Sequence, residues 1–198
     1  MIKALARISL LLLLPLSIYS KYLINDHIIS PKASEVIEKI GTELYQKSGI
    51  NLYVLATTEN VGRGVNLYEY IKKYESSLSK PYVLLFFAPN SKRIGILQSD
   101  KKLKEYYDRD EVLDYAIRII ESPDKNSLQS KYDVGVVQAY SELADEIASK
   151  KGVILKNTIK NEGGWFLKVI TWIVYLGAIV IFWIYFFRPL FRRFFNAK

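Results

Sequence analysis

Carboxylates are concentrated in one short stretch of the sequence, between residues 100 and 111. The acidic residues that could act together there are Asp100, Asp108, Asp110 and Glu111. Clustered carboxylate oxygens are the ligands that hard cations such as Ca²⁺ and Mg²⁺ prefer. The same residues have a simpler use, because an aspartate just before an apolar helical stretch commonly caps the helix. The stretch therefore indicates either a divalent-cation site or a capped helix with solvated acids.

Composition excludes several other kinds of site. The chain has no cysteine, so disulfides, thiol nucleophiles and cysteine-ligated metals are excluded. It has one histidine, His27, so a zinc site built on two or three histidines is excluded as well. A hydrolase triad would depend on His27, and the sequence contains no G-x-S-x-G nucleophile elbow.

Three further polar features each have a functional and a plain interpretation. His27 follows Asp26 and could act as a general base, or it is an ordinary loop residue. The loop NVGRGVN, which contains Arg63, could cradle an anion through its backbone N–H groups, or it is a mobile turn. Several tyrosines could form a protein-binding surface or belong to the core; they are Tyr68, Tyr70, Tyr74, Tyr106 and Tyr107.

The elements that must position these residues alternate between helix and strand. Apolar runs predict strands at 50–58, 81–88 and 93–98, the last two joined as a hairpin by the turn PNSK. Helical periodicity predicts helices starting after the N-caps Ser30, Asn66 and Asp133, and another over 112–120. Glycines at 49 and 152 are expected to end the first and last of them. Helices alternating with buried strands predict an α/β layered sandwich with a mixed sheet.

Two apolar segments flank this region. Residues 165–187 read WFLKVITWIVYLGAIVIFWIYFF, which is long enough for a transmembrane helix of about 20 residues. Lys3 and Arg7 precede a shorter apolar run that contains Pro15, as in a signal peptide or signal anchor. The segment between them is therefore expected to be exported.

The distribution of charge supports this topology. The formal net charge of +8 arises largely at the chain ends, where no acidic residue balances the bases. The basic residues after the apolar run are Arg188, Arg192, Arg193 and Lys198, a cluster that is expected to remain in the cytoplasm. The middle of the chain is nearly neutral, so we expect no nucleic-acid partner. The partners expected are the lipid bilayer and a membrane protein or complex.

Several strings in the exported region resemble the TPM domain family, named for thylakoid lumen, photosystem II repair and receptor-auxiliary proteins. The resemblance rests on IND-HIIS-PKASEVIEKIGTELYQKSGINLYVLATT, PYVLLFFAPNSKRIGILQ, YYDRDEVLDYAIRII and KYDVGVVQAYSELADEIA. The sequence lacks the W-G-x-G and G-x-G segments usual in that family and has ESSLSKPY and QSDKKL in their places.

The resemblance implies a Rossmann-like α/β/α sandwich of about four strands, followed here by one transmembrane helix. It implies that Asp26 lies near the Asp108 loop, so that Asp26, Asp108, Asp110 and Glu111 would be the ligands of Ca²⁺ or Mg²⁺. The anchor and the scarcity of catalytic groups favour a membrane-anchored accessory protein whose domain faces the periplasm. The alternatives are a metal-dependent phosphatase, an activity ascribed to some members of the family, and a purely structural tether of the cell envelope. The expected parts are a signal segment at 1–20, the domain at 21–152, a tether at 153–164, the span at 165–187 and a cytoplasmic tail at 188–198.

Overall fold

The described chain forms two compact units, divided between Thr158 and Ile159. This computed structural model describes residues 21–160, 162–183 and 185, and for 162–171 it describes the backbone alone. The expected signal segment and cytoplasmic tail lie outside the described residues.

A mixed four-stranded sheet forms the centre of the first unit. The strands are β1 (Leu23–Asn25), β2 (Asn51–Ala56), β3 (Tyr82–Ala88) and β4 (Arg93–Gln98), in the order β1-β2-β3-β4. The first three are parallel, and β4 returns antiparallel to β3. The predicted α/β class and four-stranded mixed sheet are confirmed, although the sequence pattern did not locate β1.

Four helices pack around the sheet in the described part of this unit. They are α1 (Pro31–Ser48), α2 (Leu67–Ile71), α3 (Arg109–Ile120) and α4 (Leu128–Lys150), with 3₁₀ turns at Lys72–Ser77, Pro89–Ser91 and Lys101–Tyr106. Ser30 caps α1 by accepting a hydrogen bond from the Ala33 N–H, and Asn66 caps α2 through the Tyr68 N–H. Gly49 ends α1 in the left-handed conformation, at φ 72°. These caps confirm the predicted helix starts and the first helix end.

The predicted start of the last helix in this unit was wrong. Ser127, not Asp133, caps α4 by accepting from the Ser130 N–H. The Asp133 carboxylate instead accepts from the Ser30 backbone N–H at 2.9 Å and from Gln129 Nε2 at 3.0 Å. Asp133 therefore joins the start of α1 to α4.

The core lies on both faces of the two central strands. Every residue of β2 and β3 is buried. Adjacent residues of β3 point to opposite faces, where the Phe86 ring contacts Tyr70 at 5.6 Å between centroids and the Phe87 ring contacts Tyr132 at 5.3 Å. The Tyr70 segment therefore covers one face, and α4 covers the other.

The first unit extends beyond the expected domain end at residue 152. Leu155 is buried, and the Glu43 carboxylate on α1 accepts from the backbone N–H groups of Lys156 and Asn157 at 2.9 to 3.0 Å. Burial pushes the pKa of Glu43 upward, but hydrogen bonds from Lys47 and from these amides outweigh it and lower the pKa to about 2. The first half of the expected tether is thus fastened to α1.

The second unit contains helix α5 (Glu162–Phe182). Its described large apolar side chains are more than half exposed, from Trp172 at 69% to Phe182 at 54%. Among the described residues, no helix combines the length and the apolarity needed to cross a membrane.

Candidate functional site

The ends of the parallel strands are the usual place for a ligand site in an open α/β sheet. At this edge the Asp26 carboxylate accepts from the Thr57 hydroxyl at 2.7 Å and from the Thr58 backbone N–H at 3.1 Å. Thr57 is fully buried, whereas Asp26 is exposed. Asp26 therefore ties the end of β1 to the end of β2.

Beside Thr57 lies an ion pair that joins the loop after β2 to the α2 segment. The Lys73 ammonium donates to the Glu59 carboxylate at 2.6 Å, and the Tyr70 hydroxyl donates to Glu59 at 2.9 Å. The Lys73 ammonium also lies 4.2 Å from the centre of the Tyr70 ring. We call Glu59 and Lys73 the strand-end pair, to which Tyr70 is a third partner; sequence patterns did not reveal it, because a loop and a helix separate Glu59 from Lys73.

The strand-end pair is fully charged at neutral pH. Hydrogen bonds from Lys73 and Tyr70 lower the pKa of Glu59. Slight burial acts to lower the pKa of Lys73, but the hydrogen bonds with Glu59 and Tyr70 raise it well above its usual value. Neither group is poised to transfer a proton near pH 7, so the arrangement suits binding and positioning better than acid–base catalysis.

His27 lies at a constrained backbone position in the turn after β1. Its φ of 59° lies in the left-handed region, which a non-glycine residue adopts when its surroundings hold it there. The Asn25 side chain holds this turn, since its Oδ1 accepts from the N–H groups of Ile28 and Ile29 at 2.8 and 3.0 Å. The Asp26 carboxylate faces Thr57 and Thr58 instead of pairing with the imidazole.

The acidic loop after β4 is a helix cap. The Asp108 carboxylate accepts from the backbone N–H groups of Asp110 and Glu111 at 3.0 and 3.2 Å, at the start of α3. Asp110 is highly exposed and lies 3.5 Å from the Arg109 guanidinium. Asp100 likewise caps the 3₁₀ turn at Lys101–Tyr106 by accepting from the Lys102 N–H. The capping interpretation is confirmed for Asp108, whereas the cap at Asp100 was not predicted.

Glu146 on α4 completes this loop and was not predicted. Its carboxylate accepts from the Asp108 backbone N–H at 2.6 Å. Burial raises the pKa of Glu146 to about 7, and the charges of Glu111, Glu142 and Asp108 add to the rise, while the hydrogen bond from the Asp108 amide opposes it. Glu146 is therefore a carboxyl that titrates near neutrality beside the predicted metal loop.

The expected proximity of Asp26 to the Asp108 loop is wrong. The Asp26 N–H donates to the carbonyl of Ala56, which pairs with Phe87 near the carboxyl end of β3. The Asp108 loop follows β4, whose last residue pairs with Val83 near the amino end of β3. Because β4 runs antiparallel to β3, the two carboxylates lie at opposite ends of the sheet.

The described residues contain no group of three or more histidine or acidic side chains arranged to hold a metal ion. Asp108, Asp110 and Glu111 lie together at the start of α3, and Asp26 lies apart from them. Binding of Ca²⁺ or Mg²⁺ at the loop stays a prediction, and so does the phosphatase activity that would depend on it.

The glycine loop before α2 is fixed by an arginine from β4. One guanidinium nitrogen of Arg93 donates to the carbonyl oxygens of Gly62 at 2.5 Å and Val65 at 3.1 Å. The Val61 N–H donates to the Ser91 hydroxyl. Two carbonyls and one amide of the loop are thus bonded to the side chains of Arg93 and Ser91. A role for the loop as an anion cradle stays a prediction.

Comparisons with known proteins find similarity to solved structures alone. No protein-family model and no curated protein matches the sequence. Two NMR structures are similar. The N-terminal domain of cg2496 protein from Corynebacterium glutamicum has 14% identity and a TM-score of 0.41, with 75% of this chain and 88% of that chain covered. BA42 protein from the psychrophilic bacterium Bizionia argentinensis has 16% identity and a TM-score of 0.40, with 69% and 97% covered.

Proposed function

We propose that this chain is a membrane-anchored accessory protein of the TPM type. Its first unit would face the periplasm and bind a membrane protein or complex, assisting the assembly, maintenance or regulation of that complex. The observation that carries the proposal is the row of exposed apolar side chains on α5, from Trp172 to Phe182. Such a row is unfavourable in water and is typical of a surface that meets lipid or another protein.

The sequence around this row supports an anchor. The described apolar residues belong to the longer run at 165–187, in which Lys168 is the single charged residue. Trp165 and Tyr185 lie near its two ends, where aromatic side chains favour the membrane interface. The unbalanced bases after the run favour a cytoplasmic tail and a first unit on the other side of the membrane.

The chemistry of the first unit supports binding over catalysis. The charged groups at the strand ends neutralise each other in the Lys73–Glu59 pair. Asp26 is held by Thr57 and Thr58, and Asp108 caps α3. These groups hold the loops at the strand ends and the start of α3 in place. Fixed loops favour a surface that binds another protein.

Crosslinking of intact membranes followed by co-purification tests the proposal. A matched chain in which an unrelated single span replaces 165–187 keeps the anchor but removes that sequence. We expect one specific membrane partner with both chains, because the first unit binds it. Recovery of the same background proteins from both chains and from the unrelated span alone would contradict the proposal.

A further inference from the structure

Strand β4 is the last strand of the four-stranded sheet, and no described strand pairs with its other side. In its antiparallel ladder with β3, Leu97 pairs with Leu84 and Gly95 with Phe86, and the Ser99 N–H donates to the Tyr82 carbonyl at 2.9 Å. The alternation of such ladders directs the backbone N–H and C=O groups of Ile94, Ile96 and Gln98 away from β3. Within residues 21–160, no hydrogen bond joins these outward groups to another residue.

A groove of about 470 Å³ follows this edge. Consecutive β4 residues line it, Gly95 to Gln98, although their side chains alternate between the two faces of the sheet. Because the groove contacts residues that point to both faces of the sheet, it must lie along the edge of β4. Its walls come from the α2 start and from the segment before α3, and the wall residues are Val65, Asn66, Leu67, Tyr68, Lys104, Tyr107 and Arg109.

The groove is positively charged. Arg93, Lys104 and Arg109 line it, and no acidic residue does. Arg93 uses its guanidinium on backbone carbonyls, and among the described residues neither Arg93 nor Lys104 forms an ion pair. Arg109 lies 3.5 Å from Asp110, with both side chains largely exposed, so that pair neutralises little of the charge.

The groove also offers apolar contact. Val65 is 43% exposed and Tyr68 is 48% exposed, both beside the edge. Tyr107 is buried and its hydroxyl donates to Gln98 Oε1 at 3.0 Å, which fixes the opposite wall. An occupant would therefore meet fixed walls, backbone hydrogen-bonding groups and three cations.

We propose that an extended acidic segment of a partner protein adds to β4 as a fifth strand. Backbone hydrogen bonds to Ile94, Ile96 and Gln98 would hold it, and its acidic side chains would pair with Lys104 and Arg109. The inference rests on the proposed function, since it specifies the chemistry of the client. A second copy of this chain fits less well, because pairing β4 with β4 would bring the two cationic grooves together.

The test uses the full chain in lipid nanodiscs and a library of seven-residue peptides. Glu or Asp alternates with Val or Thr in the library, and matched peptides carry Lys in place of the acids. We expect acidic peptides to bind and to slow hydrogen exchange at the amides of Ile96 and Gln98. The amides of Gly95 and Leu97 already bond to β3, so they serve as internal controls.

Backbone N-methylation separates strand addition from simple charge attraction. Methylating the alternate peptide amides that face β4 should abolish binding, while methylating the other set should leave it within twofold. The Lys104→Glu and Arg109→Glu variants should each weaken binding at least tenfold, and the exposed Lys32→Glu variant should not. Equal effects of both methylation sets, or equal binding of lysine peptides, would overturn the proposal.

The experiments distinguish a failure of strand addition from a failure of the proposed function. If no peptide protects Ile96 but the crosslinked partner is still recovered, the client binds another surface and strand addition is wrong. If Ile96 becomes protected with rising protein concentration and no peptide, the edge pairs with a second copy, which also overturns the proposal.

Discussion

Among the described residues, Glu146 is a carboxyl whose charge state the fold alters near neutral pH. Its folded pKa of about 7 lies above the ordinary value of 4.5. The folded state therefore binds a proton that the unfolded state has lost, and the free energy of unfolding should fall as pH rises from about 4.5 to about 7. In the Glu146→Gln variant this fall should shrink, and the variant should be more stable than the parent at pH 8. Urea unfolding of the full chain in detergent, followed by tyrosine near-UV circular dichroism, measures it.

The side-chain amide that Glu146→Gln introduces can still accept from the Asp108 N–H, so the variant removes the charge and keeps the hydrogen bond. Glu35→Gln, an exposed change on α1, should follow the parent curve. Parallel curves for the parent and Glu146→Gln across this pH range would show that Glu146 does not titrate as described.

Helix α1 depends on a close approach at Gly41. A methyl group added there would lie 2.5 Å from the Tyr140 hydroxyl oxygen and 2.7 Å from Cγ of Tyr22. Both rings are buried, and the Tyr140 hydroxyl donates to the Leu52 carbonyl at 2.7 Å. We expect Gly41→Ala to destabilise the protein by about 1–3 kcal/mol, since overpacking outweighs the gain in helix propensity.

Thermal unfolding of the full chain in detergent checks this prediction. Gly62→Ala is the control, because nothing lies within 4 Å of the methyl group that it adds. Its melting temperature should remain near that of the parent. An equal melting temperature for Gly41→Ala would mean that α1 and α4 move apart at little cost.

The same elements show which parts of the structure local sequence could predict. Ser30, Asn66, Gly49 and Asp108 act on neighbouring backbone groups, so residue type and spacing were enough to place their caps. The α4 start was misplaced because its first turns are polar and Leu128 and Val134 are exposed, which hides the helical period. Strand β1 has three residues, too few for an alternating pattern.

Contacts between distant residues lay beyond such patterns. The separation of Asp26 from Asp108 follows from the reversed direction of β4, which the hairpin predicts but the resemblance did not take into account. The strand-end pair joins Glu59 to Lys73 across a loop and a helix, and no spacing rule marks it. Glu146 has its raised pKa chiefly because the fold buries it, and the charges of Glu111, Glu142 and Asp108 add to the rise.

At the scale of the whole molecule, substitutions at two exposed leucines test whether the apolar residues of α5 form a membrane anchor or an ordinary apolar surface. Leu176 on α5 is 58% exposed, and Leu128 on α4 is 65% exposed. If 165–187 spans the bilayer, Leu176→Arg places a charge near the centre of the span, at a cost of about 2.5–3.5 kcal/mol. We expect this variant to lose much of its resistance to alkaline carbonate extraction from membranes, whereas Leu128→Arg should be retained like the parent.

The two variants add the same charge at leucines of similar exposure. They differ in position, because Leu176 belongs to the second unit and Leu128 to the first. Both variants should keep the near-UV circular dichroism of the first unit, because neither leucine is buried there. If both variants are extracted equally, or neither is, the exposed row on α5 does not anchor the chain and its apolar side chains must meet another protein. In that case the crosslinked partner should be recovered with the native 165–187 sequence and lost when an unrelated span replaces it.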